Sequence, residues 1–129
     1  MGITLDEIKI SDLDRVERLK IINSIAGIRS VNLIATKSKQ GVSNLSIFSS
    51  VTHLGSNPPL MGFISRPNEE VRRDTISNLS ENPFFTINSV EKETINNAHL
   101  TSGKYDSNVS EFEKCGFKES YIGDFSIPF

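Results

Sequence analysis

Two short runs concentrate the polar chemistry of this 129-residue chain. The first, residues 41–52, reads Gly-Val-Ser-Asn-Leu-Ser-Ile-Phe-Ser-Ser-Val-Thr and sets Asn44, Ser46, Ser49, Ser50 and Thr52 among apolar residues. Side chains of an extended segment alternate between faces, so Asn44, Ser46, Phe48, Ser50 and Thr52 share one side. A row of amide and hydroxyl groups bordering an aromatic ring suits a flat heteroaromatic ligand, whose edge needs hydrogen-bond partners and whose face wants apolar contact. The same pattern also describes the solvent side of an ordinary amphipathic strand. The second run, Arg72-Arg73-Asp74-Thr75, falls at the expected first turn of a short helix. Outward N–H groups and the positive end of the helix dipole meet there, and one arginine with a threonine hydroxyl would complete a phosphate pocket. Asp74 adds opposing charge and reads as a capping or dipole residue with Arg73 as its partner. Taken alone, the basic pair also reads as a solvated helix face.

The elements that must position these runs follow from spacing. Leu13, Val16, Leu19, Ile22 and Ile25 recur at intervals near three, with Asp12 and Asp14 in the first turn, which predicts an amphipathic helix capped by Ser11 and stopped by Gly27. Residues 30–37 alternate as a strand, residues 38–41 form a polar turn, and residues 42–52 continue as one extended strand, with Leu45, Ile47, Ser49 and Val51 on its second face. Pro58 and Pro59 remove two backbone donors in succession, so they belong at the edge or start of a strand over residues 60–65, which Arg66-Pro67-Asn68 ends. Val71, Ile76 and Leu79 predict a short helix over residues 69–80, closed by Asn82-Pro83. A strand is expected over 84–90, a weaker helix over 91–100, a polar loop over 102–110 and one helical turn from Glu111 stopped by Gly116. Residues 125–129 are apolar and look like the opening of a further strand. Strands interrupted by short helices, without regular βαβ alternation, argue for an α+β fold on an antiparallel sheet or barrel.

The length allows one domain, residues 1–129. A net charge of −2 gives no general pull toward nucleic acid or an anionic membrane, so any anion site must be local. The single cysteine, Cys115, cannot form an internal disulfide, and with only His53 and His99 beside it there is no zinc-type spacing and no metal site. Cys115 reads as a small apolar filler and the two histidines as surface groups. Residues 1–10 alternate acidic and apolar types without the basic start of a signal peptide, and no run approaches the ~20 apolar residues of a membrane span. A cytoplasmic location is expected. No side chain stands out as a catalytic acid or nucleophile.

Taken in order, the motifs resemble those of flavin reductase-like proteins of the FMN-binding split-barrel group, from about Arg15 onward. The resemblance rests on Arg29 near a strand start, and on Gly41, Asn44, Ser46, Phe48 and Ser49 in a Gly-x-x-Asn-x-Ser-x-Phe-Ser run. It continues through Pro58-Pro59, then Asp74, Thr75 and Asn78, then Phe85 with Asn88, and finally Glu111-Phe112 to Gly116. It implies an antiparallel split β-barrel with short flanking helices, binding FMN non-covalently across a homodimer interface. By position, Asn44, Ser46, Ile47, Phe48 and Ser49 would line the isoalloxazine, Ser50 and Thr52 would reach the ribityl chain, Arg72 or Arg73 with Thr75 would hold the phosphate, and Arg29 is a further cofactor-binding position. The implied activity is that of an NAD(P)H-dependent oxidoreductase passing electrons through FMN to a flavin or other acceptor. The alternatives are a non-enzymatic FMN electron-transfer module and a cofactor-free split barrel serving assembly or regulation. Members of the group run on through further strands, so the chain is expected to lack the family's C-terminal strands.

Overall fold

The computed structural model describes residues 10–129, and the expectation for the first nine residues lies outside them. The elements in chain order are α1 (Arg15–Ile25), β1 (Asn32–Lys37), β2 (Ser43–Phe48), β3 (Val51–Ser56), β4 (Pro59–Phe63), α2 (Asp74–Glu81), β5 (Thr86–Ser89), α3 (Ile95–Leu100) and α4 (Glu111–Lys114). Short 3-10 turns occupy Ile10–Asp12 and Lys92–Thr94.

The first helix starts at Arg15 because Asp14, not Ser11, caps it. The Asp14 carboxylate accepts from Val16 N at 2.7 Å and Glu17 N at 3.1 Å. Those backbone bonds, led by the one from Glu17, hold its pKa below the ordinary value. Ser11 instead sits in the preceding 3-10 turn and donates to Asp12. Gly27 takes a positive φ of 72° just past the end, as predicted. The expected amphipathic face does not form: residues spaced by three step about 60° around a helix each time, so Val16 and Ile25 lie on opposite sides, and Val16, Leu19, Ile22 and Ile25 are all exposed.

Strand β1 is the centre of a three-stranded antiparallel sheet in the order β2-β1-β5. The predicted turn between β1 and β2 is closed by Ser38 N on Val42 O, with Gly41 at φ 85°. The register sets Thr36 against Asn44, Ile34 against Ser46 and Asn32 against Phe48. Opposed residues share a face. Leu33, Ala35 and Leu45 therefore point to a core completed by Ala98 of α3, Phe112 of α4 and Ile127. The other face is covered by α2, where the Asn78 amide donates to Thr36 Oγ1 at 3.1 Å.

The single strand predicted over residues 42–52 is two strands in two sheets. The chain leaves the first sheet after Phe48 and enters a β3-β4 hairpin. Ser50 makes the change of direction: its hydroxyl donates to Ile64 O at 2.7 Å and accepts from Ile64 N at 3.3 Å. The face alternation read from Asn44 thus ends at Phe48. Edge-to-face contacts of Phe63 with Phe48 (centroids 5.0 Å apart) and Phe85 (5.2 Å) tie the two sheets together.

Helix α2 begins at Asp74 rather than at residue 69. Asn68 Oδ1 accepts from Arg73 N at 2.5 Å and Arg73 Nε donates to Pro67 O at 3.1 Å, which holds residues 67–73 as a loop folded onto the helix start. Its end before Pro83 is as predicted. Strand β5 is shorter than expected, and Phe84 is exposed against the ring of Phe125. Residues 125–129 do not form a strand within the described chain. Ile127 and Pro128 are buried, and Pro128 O accepts from Thr86 Oγ1 at 2.7 Å. Cys115 is buried with its sulfur 3.7 Å from the Tyr105 hydroxyl, while His53 and His99 are exposed.

Candidate functional site

A cleft of about 1030 Å³ opens between β2, the loop that leads into α2, and the segment after α3. Of the residues singled out in the sequence, Arg29, Asn44, Ser46, Ile47, Phe48, Ser49, Ser50, Arg72, Arg73 and Thr75 line it. Thr52 does not. The change of sheet at Ser50 carries Thr52 onto β3 opposite Gly62, where it is exposed. The Ser50 hydroxyl reaches the cleft but already spends its proton on Ile64.

The strand side of the cleft is built by register. Leu45 N points away from β1 and donates to Glu111 Oε2 at 3.0 Å. Backbone groups of an antiparallel edge strand alternate in direction, so the same parity turns the Ile47 N–H outward into the cleft. Asn44, Ser46 and Phe48 share the face opposite the core, which gives the polar row and the aromatic ring on one side as predicted.

The helix side departs from the sequence reading. Arg72, not Arg73, pairs with Asp74: Nε lies 3.0 Å from Oδ1 and Nη2 3.2 Å from Oδ2. The local loop explains the exchange, because Arg73 is turned back onto Pro67 O through Nε. The terminal nitrogens of Arg73 make no hydrogen bond among the described residues. Thr75 is buried and its Oγ1 accepts from Asn44 Nδ2 at 3.1 Å, so the hydroxyl proton stays free to donate. The start of α2 therefore offers the two free terminal nitrogens of Arg73 and an O–H donor beside the positive end of the helix dipole. Around the cleft stand five cationic side chains, Arg29, Arg66, Arg72, Arg73 and Lys104, against the carboxylates Glu70, Asp74 and Glu111. A chain of net charge −2 has thus gathered a local positive surface.

Two contributors escaped the sequence reading. Glu111 is 6 % exposed and lines the cleft. Desolvation pushes its carboxyl pKa up and Asp74 adds to the rise, while the Leu45 N–H and Arg72 oppose it. The sequence places it in a helical turn and in a motif of the resemblance but not in the site, because its partner lies 66 residues away. Tyr105 and the residues before it form a second wall. Their signal was Gly103, where an added Cβ would lie 3.1 Å from the Tyr105 ring and 3.2 Å from Leu100 O.

The donor set fits a flat ligand with an anionic end: outward N–H and amide groups beside an aromatic ring, then a guanidinium and a hydroxyl at a helix start. Comparison with known proteins gives the family. A flavin reductase like domain matches residues 28–129. Uncharacterized proteins of Aquifex aeolicus and Halalkalibacterium halodurans are 27% and 28% identical over 111 and 117 residues, covering 85% and 90% of this chain but 57% and 56% of theirs. Among solved structures, a candidate flavin reductase with a split barrel domain from Shewanella frigidimarina is 44% identical at a TM-score of 0.89, over 99% of this chain and 63% of that one. Nitrilotriacetate monooxygenase component B from Bacillus cereus shares the fold at 22% identity and a TM-score of 0.81, over 99% of this chain and 63% of that one. The chain therefore spans less than two thirds of the length of these relatives. The antiparallel sheets with flanking helices and the split-barrel neighbours bear out the α+β split-barrel fold class, and the chain belongs to the flavin reductase-like family.

Proposed function

We propose that the cleft binds FMN and that the protein is a flavin reductase-type oxidoreductase, taking hydride from NAD(P)H and passing electrons to a flavin or other acceptor. The observation that carries this reading is the convergence of the β2 polar row and the start of α2 in one cleft, joined by the Asn44–Thr75 hydrogen bond. The Ile47 N–H, with Asn44, Ser46 and Ser49, meets the polar edge of the ring, and Phe48 supplies apolar contact. Arg29 approaches from the chain before β1. Arg73 and Thr75 take the phosphate, and the arginine contact contributes about 1.5–3 kcal/mol as a charged hydrogen bond. Bound flavin supplies the redox chemistry, and the protein supplies position and electrostatics.

The proposal includes a homodimer. The apolar side chains of α1 are exposed, and Asn23 and Arg29, at and just beyond this helix, line the cleft, so a second copy on α1 would cover apolar surface next to the site. A reducing, cytoplasmic setting suits the lone thiol, and among the described residues no helix is long and apolar enough to cross a membrane.

The test is a visible absorbance spectrum of the purified chain after loading with FMN and desalting, followed by NADH and NADPH oxidation. Retained flavin absorbance with turnover supports the reading. Retained flavin without turnover leaves an electron-transfer module, and complete loss of flavin from folded protein removes the cofactor assignment. Arg73→Ala is expected to weaken FMN at least about tenfold while riboflavin, which lacks the phosphate, changes little.

A further inference from the structure

Of the two arginines that the sequence offers as phosphate ligands, one is committed elsewhere. Arg72 Nη2 donates to Tyr105 O at 2.9 Å while the same guanidinium holds Asp74 through Nε and Nη2. Among the described residues this is the only hydrogen bond between segment 66–81, which carries the start of α2, and segment 101–110, which forms the opposite wall. Helix α2 packs on β1 and β2, and α3 packs on β2, so the helices flanking the two walls are both seated on the sheet and this contact adds a direct hydrogen-bonded tie between the walls.

The wall itself is built to receive that bond. Gly103 N closes a turn on Leu100 O at 3.0 Å, and the Tyr105 hydroxyl returns to the same carbonyl at 3.1 Å. The Tyr105 ring lies over Gly103 where any larger residue would press on it. This aims the Tyr105 carbonyl at Arg72, and Ser102, Gly103 and Lys104 at the cleft.

We propose that Arg72 is a positioning residue that straps the 101–105 wall to the start of α2, acting through Tyr105 rather than on a ligand, and that the strap holds the cleft closed around the flavin as a whole. The inference rests on the FMN reading for its ligand but not for the strap itself. Lys104, exposed in that wall and next to Tyr105, makes it directly readable by limited trypsin digestion.

Flavin-free wild type, Arg72→Ala, Arg72→Lys, Gly103→Ala and Arg73→Ala proteins, matched by circular dichroism, are digested briefly and cleavage after Lys104 is followed by mass spectrometry. Affinities for FMN and riboflavin are measured in parallel. Arg72→Ala is expected to speed cleavage after Lys104 by about tenfold, the factor given by loss of one charged hydrogen bond, and to weaken FMN and riboflavin by the same ratio. Arg72→Lys gives an intermediate rate, because an ammonium does not span both acceptors as the planar fork does. It also carries the test should the alanine variant fail to fold. Gly103→Ala reproduces the faster cleavage with Arg72 intact, and Arg73→Ala leaves cleavage unchanged.

An unchanged cleavage rate in folded Arg72→Ala or Arg72→Lys overturns the strap. So does a loss confined to FMN, which would make Arg72 a phosphate ligand. If wild type binds neither flavin, the cofactor reading fails and the cleavage rates alone decide the strap.

Discussion

The Asn44 side chain of β2 donates to the Thr75 hydroxyl of α2 across 3.1 Å of buried contact. One hydrogen bond thereby joins the strand proposed to face the flavin ring and the helix start proposed to face the phosphate. One turn later the direction reverses, with Asn78 of α2 donating to Thr36 of β1, so α2 is seated on the sheet through two buried amide–hydroxyl pairs.

Thr75→Val removes the acceptor and keeps the shape, leaving the Asn44 amide buried without its partner. Urea unfolding should show a loss of about 1–3 kcal/mol, and Asn44→Ala added to it should cost less than the sum of the single changes. Additive losses would mean that the two side chains do not depend on one another.

Glu111 gives the stability a pH dependence of defined sign. Its folded pKa lies above the ordinary value of 4.5 because burial disfavours the charge. Between 4.5 and that raised value the native protein holds a proton that the unfolded chain has released, so this contribution falls as pH climbs through the window. Glu111→Gln keeps an acceptor for Leu45 N and removes the titration. Wild type should lose stability relative to the variant as pH rises from 4.5 toward neutrality, and the two should run parallel below 4.5. Parallel curves across the whole range would contradict the assignment.

Ile127 is fully buried against Ala35, Leu45 and Phe112, although it lies close to the end of the sequence. Ile127→Ala is expected to cost about 2–5 kcal/mol in chemical denaturation, as for other buried aliphatic truncations. A cost well under 1 kcal/mol would show that residues 125–129 do not hold the core.

Ser50 is the pivot between sheets. Replacing it by alanine removes both hydrogen bonds to the Ile64 backbone and should lower stability by about 1 kcal/mol, with faster hydrogen exchange in β3 and β4 than in β1. Uniform acceleration in both sheets would argue against a local pivot.

The sequence showed most where the signal is local. Gly41 and Gly27 marked their turns, Asn82-Pro83 ended α2, and the alternation of Asn44, Ser46 and Phe48 put the polar row on one face. It failed where a distant partner decides. Nothing in the period-two pattern of residues 42–52 reveals that Ser50 is captured by Ile64, so Thr52 was grouped with a row that it leaves. The pairing of Asp74 with Arg73 followed from adjacency, whereas Asn68 and Pro67 hold Arg73 away and hand the carboxylate to Arg72. Glu111 was invisible as a site residue because burial and contact with Leu45 arise only once α4 docks on β2. The FMN and NAD(P)H chemistry and the homodimer are implied by the resemblance, whereas the flat-ligand row and the phosphate pocket also follow from residue types and spacing.

The chain holds one thiol, and it is sealed. Cys115 is 2 % exposed with the Tyr105 hydroxyl at its sulfur, so a thiol-reactive dye can reach it only when the packing around α4 opens. The rate of labelling therefore serves as a built-in clock for opening events, read from the unaltered sequence. Slower labelling with FMN present would measure how much the ligand holds that packing shut.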